Sequence, residues 1–184
     1  MATTLDPTLR SASPLLDEAS RELDATPRLT LRSALAEGSG VAELLLFRVD
    51  REHFAMDLAA VDEALELPDV HEVPESPSAL LGVFHLRERL VPVYSPMEIL
   101  GVALGAEGGA ALVMRAGERR VGVAVDDVED VLSLDVSLVQ RSPVPDAGDN
   151  VLLGVALHGG VIVSLIDAAA LVSACAAQLP GEDT

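Results

Sequence analysis

The chain has 184 residues, with 30 acids against 12 basic residues and a formal net charge of −18 at pH 7. Such a surface repels phosphate backbones and argues against nucleic acid as a partner. All twelve basic residues are arginine, and the lack of lysine removes P-loop phosphate binding, Schiff-base chemistry and a lysine general base.

Hydrophobic residues make up 49% of the chain and aromatics only 2%, so the core of one domain must come from Val, Leu, Ile and Ala. No apolar run reaches the roughly 18 residues of a membrane span. Met1–Asp6 lacks the basic and apolar regions of a signal peptide, so the expectation is a soluble cytoplasmic protein. Cys175, in Ala174-Cys175-Ala176, reads as a buried small hydrophobe rather than a nucleophile.

Residues 1–40 are rich in Pro, Ser and acids and read as an N-terminal extension, flexible or docking on this protein or a partner. Ser13 can cap a helix with Pro14 at its first position and Leu15, Leu16, Ala19 and Leu23 on one side. Thr30 can cap a second helix, ended by Gly38. From Val41 the texture changes to strands: Ala42–Val49 and His53–Leu58 flank a turn at Asp50-Arg51-Glu52. Leu80–Tyr94 reads as two apolar runs meeting at a charged Arg87-Glu88-Arg89 tip, a hairpin. Pro92 has no N–H, which places its run at a sheet edge or a bulge. A Gly-rich link, Gly101 to Gly109, leads to Ala110–Arg115 and Arg119–Val125, joined around Gly117. Val128–Leu134 follows, then a loop with Pro143, Pro145 and Gly148. Val151–Leu157 and Val161–Ile166 join at Gly159-Gly160. A helix over Ala168–Leu179, capped by Asp167, stops at Pro180-Gly181, and residues 180–184 form a tail.

Two stretches repeat. Gly82-Val83 precedes Leu90–Val93, Ser95 as a cap and Ile99-Leu100; Gly154-Val155 precedes Ile162–Leu165, Asp167 as a cap and Leu171-Val172. The offset is constant, since 154 − 82 and 167 − 95 both equal 72. Upstream, Val61–Leu65 echoes Val128–Leu132. Two similar β units are implied, each closing with a capped helical turn, and small β units avoid exposed edges by closing into barrels. Gly82, Pro92 and Gly154 are the expected structural turn positions.

Little in the sequence points to catalysis. His53, His71, His85 and His158 lie in no zinc-ligand spacing, and neither G-x-S-x-G nor G-x-G-x-x-G occurs. No catalytic residue, metal ligand or cofactor is therefore assigned. The acids of Val125-Asp126-Asp127-Val128-Glu129-Asp130 would serve a hydrolase only if they converged in a cleft. The interleaved valines instead predict a buried seam with solvated acids around it. Arg87 is the best single candidate, because a guanidinium among apolar neighbours requires a carboxylate, and Glu63 occupies the matching position.

The stretch Gly82-Val83-Phe84-His85-Leu86-Arg87-Glu88-Arg89-Leu90-Val91-Pro92-Val93 resembles the G-V-I-N-L-R-G-x-(I/V)-V-P-V signature of CheW-type chemotaxis coupling proteins. Phe54–Glu63, Val121–Val128 and Leu153–Asp167 are similar to further pieces of that family in the same order, so the likeness covers about residues 41 to 173. The resemblance implies a mainly β fold of two tandem, packed, five-stranded SH3-like barrels with short helices, placed at 41–179. It implies a non-catalytic adaptor that binds a methyl-accepting chemoreceptor tip and the regulatory domain of a chemotaxis histidine kinase. An adaptor for surface motility or gene regulation is the alternative, and a hydrolase using Asp126–Asp130 a more distant one. By the same analogy Arg87, Glu63, Val61, Leu65, Leu86, His85 and Glu88 form the partner-binding surface. Three positions depart from the pattern: His85 replaces Asn, Glu88 replaces Gly, and Ser95 replaces Asp.

Overall fold

A computed structural model describes residues 29–105, 109–141 and 151–178. The expected helix at Ser13 and the loop at Pro143 lie outside these residues. In chain order the elements are helix α1 (Leu31–Glu37), strands β1 (Val41–Val49) and β2 (Glu52–Asp57), the 3-10 turn η1 (Leu58–Ala60), and β3 (Val61–Glu66). Then come β4 (Leu80–Leu86), β5 (Arg89–Tyr94), the short helix α2 (Met97–Leu100), β6 (Ala110–Ala116), β7 (Arg119–Val125) and β8 (Asp127–Asp135). The 3-10 turn η2 (Val136–Leu138), β9 (Gln140–Arg141), β10 (Leu152–His158), β11 (Val161–Ile166) and helix α3 (Ala168–Ala177) complete the set.

The strands form two sheets, with order β8-β1-β2-β11-β10-β9 in one and β3-β6-β7-β5-β4 in the other. The expectation of two barrel-like β units and a C-terminal helix holds, but the first sheet has six strands rather than five. The repeat is also real: β4–β5 and β10–β11 match at both ends, since 152 − 80 and 166 − 94 both equal 72. The two halves of the chain do not, however, each build their own sheet. Hairpin β1–β2 pairs with β8 and β11 of the second half, while hairpin β6–β7 pairs with β3 and β5 of the first. The two sheets are thus equivalent by exchange of one hairpin.

This exchange explains the apolar runs. Along β1, Ala42, Leu44 and Leu46 enter a core inside the six-stranded sheet, together with Leu132, Val163 and Leu165. Leu45, Phe47 and Val49 on its other face enter a central core between the sheets, with Phe54, Leu112, Met114, Val123 and Ile166. Phe84, Val91, Val93, Val113 and Ala124 fill a third core inside the five-stranded sheet. Strands buried on both faces read as continuous hydrophobic runs rather than alternation. Phe47 and Phe54, paired across β1–β2, stack at 5.7 Å.

Helix α1 is too short to be stable alone. The hydroxyl of Thr30 accepts the amide of Ser33, and Gly38 closes the helix at φ 72°, as the sequence predicts. Leu31 and Leu35 drop into the six-stranded core, each contributing roughly 1.5–3 kcal/mol of burial, which holds the helix down. Helix α1 therefore docks on its own domain.

Three positions differ from expectation. Gly82 and Gly154 lie within β4 and β10 at register shifts, not in turns. A Cβ at Gly82 would stand 2.6 Å from the His71 carbonyl oxygen, and one at Gly154 would stand 2.5 Å from that of Gln140. Both glycines are required because a neighbouring strand crosses there at backbone distance. Pro92 lies in β5, which is an interior strand with β4 outside it. Val83 directs its N–H and C=O to His71, so the Val83–Pro92 pair across β4–β5 is a non-hydrogen-bonded one. On the other side, pairing with β7 involves only Val93 and Tyr94, so the missing donor costs no ladder bond.

Candidate partner-binding site

Arg87 and Glu88 are the two central residues of the β4–β5 turn, at φ 46° and 66°. Both values are left-handed, which suits a two-residue hairpin but strains residues that carry a Cβ. The turn aims the Arg87 guanidinium at Glu63 of β3, with 3.4 Å between Nη2 and Oε2. β3 and β4 are the first and last strands of their sheet. The ion pair therefore spans its two edges and shows that the sheet curls round on itself. With the Arg87 side chain 73% exposed, the pair is screened and worth at most about 1 kcal/mol.

The other candidates divide by burial. Leu65 and Leu86 are half-buried against the five-stranded core beneath the pair. His85 is exposed on β4, directly opposite exposed Leu90, and Glu88 is exposed at the tip. Val61 requires a correction: only 8% exposed, it belongs to the central core and is a packing residue rather than a contact surface.

A β-bulge between Val61 and Glu63 re-aims Asp62. Its carboxylate accepts the Nε of Arg115 at 2.8 and 3.0 Å and lies 3.5 Å from the Nε of Arg120. Arg115 and Arg120 face each other across the β6–β7 hairpin, and that hairpin lies beside the β4–β5 tip. A groove of about 480 Å³ results, lined by Arg87, Arg89, Arg115, Gly117, Glu118, Arg119 and Arg120. From the sequence, Arg87 and Arg89 alone form too small a basic patch to favour nucleic acid. The other three arginines are near in space through the sheet order, which no local motif reveals.

A second concavity of about 580 Å³ adjoins the first at Arg115 and Gly117, and it runs between η1 and α3 past Ala59, Val172 and Ala176. At its far end the Asp167 side chain accepts the amides of Ala169 and Ala170 and the Arg32 guanidinium. Asp57 accepts the Leu31 amide at 2.7 Å, while burial raises its carboxyl above the usual value.

The acid run has other work. Asp126 is buried and accepts the amides of Asp50 at 2.5 Å and Gly105 at 2.8 Å, tying the β1–β2 turn to the link before β6. Glu129 binds His53 at 2.9 Å and Arg48 at 3.4 Å, and Asp130 accepts the amide of Val131. Asp127 and Asp130 are exposed, as the solvated reading expects, whereas Asp126 departs from it by being buried against two backbone amides. Cys175 is fully buried, and burial pushes its thiol up to about 12.

Fold and site together define a two-sheet β domain that presents an ion-paired hairpin tip beside an inter-sheet groove. The family model described as the CheW-like domain matches residues 43–176, and the chain belongs to that family. It is similar to the chemotaxis protein CheW of Thermotoga maritima, 28% identical over 75% of this chain and 89% of that one. The chemotaxis protein CheW of Klebsiella aerogenes is 30% identical over 60% of this chain and 68% of its own length. Among solved structures, the scaffolding protein TtCheW from Thermoanaerobacter tengcongensis superposes with a TM-score of 0.58 at 20% identity, covering 69% of this chain and 89% of that one. That likeness confirms the fold.

Proposed function

We propose that the protein is a non-catalytic cytoplasmic adaptor that couples methyl-accepting chemoreceptors to a chemotaxis histidine kinase by binding both. The observation that carries this reading is the Arg87–Glu63 pair at the hairpin tip of a CheW-like domain. The pair presents a charged contact near the half-buried Leu65 and Leu86. The curated relatives are named as chemotaxis proteins and the solved relative as a scaffold, in keeping with this role.

Linkage supplies the mechanism. A receptor changes the kinase only if its signalling states contact the shared complex with different free energies, and the adaptor holds the two in register. No helix among the described residues is long and apolar enough to cross a membrane.

The test is titration calorimetry of the purified protein against the regulatory domain of a chemotaxis kinase from the same organism. One-to-one micromolar binding is the expected result, and no binding overturns the chemotaxis reading in favour of another chemosensory pathway. Arg87→Glu is expected to abolish binding of a receptor-tip fragment while leaving the thermal transition in place. Intact receptor binding in that variant would remove Arg87 from the interface.

A further inference from the structure

We propose that the arginine groove between the β4–β5 and β6–β7 tips binds a carboxylate-rich segment of a protein partner. This deepens the adaptor reading, on which the partner's being a signalling protein rests. Five of the chain's twelve arginines converge on one groove of about 480 Å³. The neighbouring carboxylates are Asp62 and Glu63, with Glu118 in the lining and Glu88 exposed between Arg87 and Arg89 at the tip. The groove is thus a local concentration of arginine on a molecule whose formal net charge is −18.

The local geometry leaves Arg87, Arg89, Arg115 and Arg120 accessible to a further anion. Arg115 and Arg120 stand directly opposite each other across β6–β7, an arrangement that is destabilising for like charges unless anions lie between them. One carboxylate, Asp62, serves both, so a second anion has a place. The Arg87 side chain is 73% exposed beside its single carboxylate. Arg89 is exposed and has no ion-pair partner among the described residues.

The chemistry selects carboxylates on a short segment. The guanidinium fork matches a carboxylate, and Arg87, Arg115 and Arg120 each already hold a carboxylate side chain. Nucleic acid extends far beyond the groove and meets the acidic surface around it. A peptide inside the groove feels mainly charges within a Debye length, about 8 Å at physiological salt, where the arginines of the lining lie.

The experiment uses the full chain with a fluorescein-labelled oligoglutamate peptide, followed by anisotropy at rising salt, and in parallel the receptor-tip fragment. Peptide binding that weakens with salt is expected. Arg89→Glu should cost at least about tenfold in peptide affinity, since it places a like charge against the ligand. Arg51→Glu, on the distant β1–β2 turn, should change neither, and Arg89→Gln gives a milder loss that does not depend on tolerating a new acid. Unchanged urea midpoints show that each variant is folded. Peptide affinity indifferent to Arg89→Glu and Arg89→Gln overturns the proposal, as does displacement of the peptide by inorganic phosphate at an ionic strength where chloride leaves it bound. Receptor binding that survives Arg89→Glu overturns the partner assignment but leaves the adaptor reading standing. Peptide binding without any receptor or kinase binding supports the groove and removes the adaptor reading.

Discussion

At the residue scale, the most informative positions are those where backbone geometry and side chain disagree. Glu88 holds φ 66° in a turn where the family signature has glycine, so it stores local strain. Glu88→Gly is expected to stabilise the protein by about 1 kcal/mol, read as an upward shift in the urea midpoint. Gly82 and Gly154 show the converse. Alanine at either meets a carbonyl oxygen at about van der Waals overlap, so each substitution should cost roughly 2–3 kcal/mol in the same assay. Gly101→Ala meets open space and loses only the left-handed φ of 77°, so a clearly smaller effect is expected there. The close approach at Gly82 and Gly154 has a sequence trace in the constant spacing of the repeat, but its cause does not. Only the crossing of His71 and Gln140 over the two glycines shows that steric exclusion, not turn-making, requires them.

Among the elements, α1 and α3 are coupled through acids. Asp57 accepts the first amide of α1 and lies near Asp167, the N-cap of α3, with Arg32 bound to the latter. Burial first, and the Asp167 charge after it, raise the Asp57 carboxyl above 3.8, while the Leu31 hydrogen bond works in the opposite direction. The folded state then binds a proton more tightly than the unfolded chain does. This contribution to stability is fully present below 3.8 and is lost as pH rises through the folded value. Asp57→Asn should flatten that part of the stability–pH curve, measured by urea unfolding across the acid range. Asp167→Ala should cost about 1–2 kcal/mol through the lost cap. Both caps were legible from Thr30 and Asp167 as residue types before helices. The acidic cluster that ties the two helix starts together was not, because its members are 26 to 135 residues apart.

For the whole molecule, the hairpin exchange has a direct consequence. The sequence repeat suggests that each half could fold by itself, yet each sheet draws strands from both halves. Fragments cut between Gly105 and Gly109 are expected to be unfolded separately and to recover strand circular dichroism only when mixed. A folded isolated half would contradict the exchange. The central core is sealed at the same scale, with Cys175 and Tyr94 fully buried in it and both ionisations pushed up to about 12 by burial. Iodoacetamide should therefore label Cys175 only as fast as the domain opens. Because the unfolded thiol ionises near 9.0 and the folded one does not, stability should also fall as pH rises beyond that value.

Local information alone determined most strands, both capped helices and the hairpin tip. Each depends on residue type, periodicity or a repeated spacing within a short window. The same information placed the acids of β8 on a solvated face, through the valines between them. Tertiary structure alone decided that the repeats exchange hairpins, that Pro92 sits in an interior strand, that Val61 is core, and that five arginines share one groove. Those facts depend on which strands become neighbours. That choice is made by burying three apolar layers at once, a property of the folded whole that no window of the chain contains.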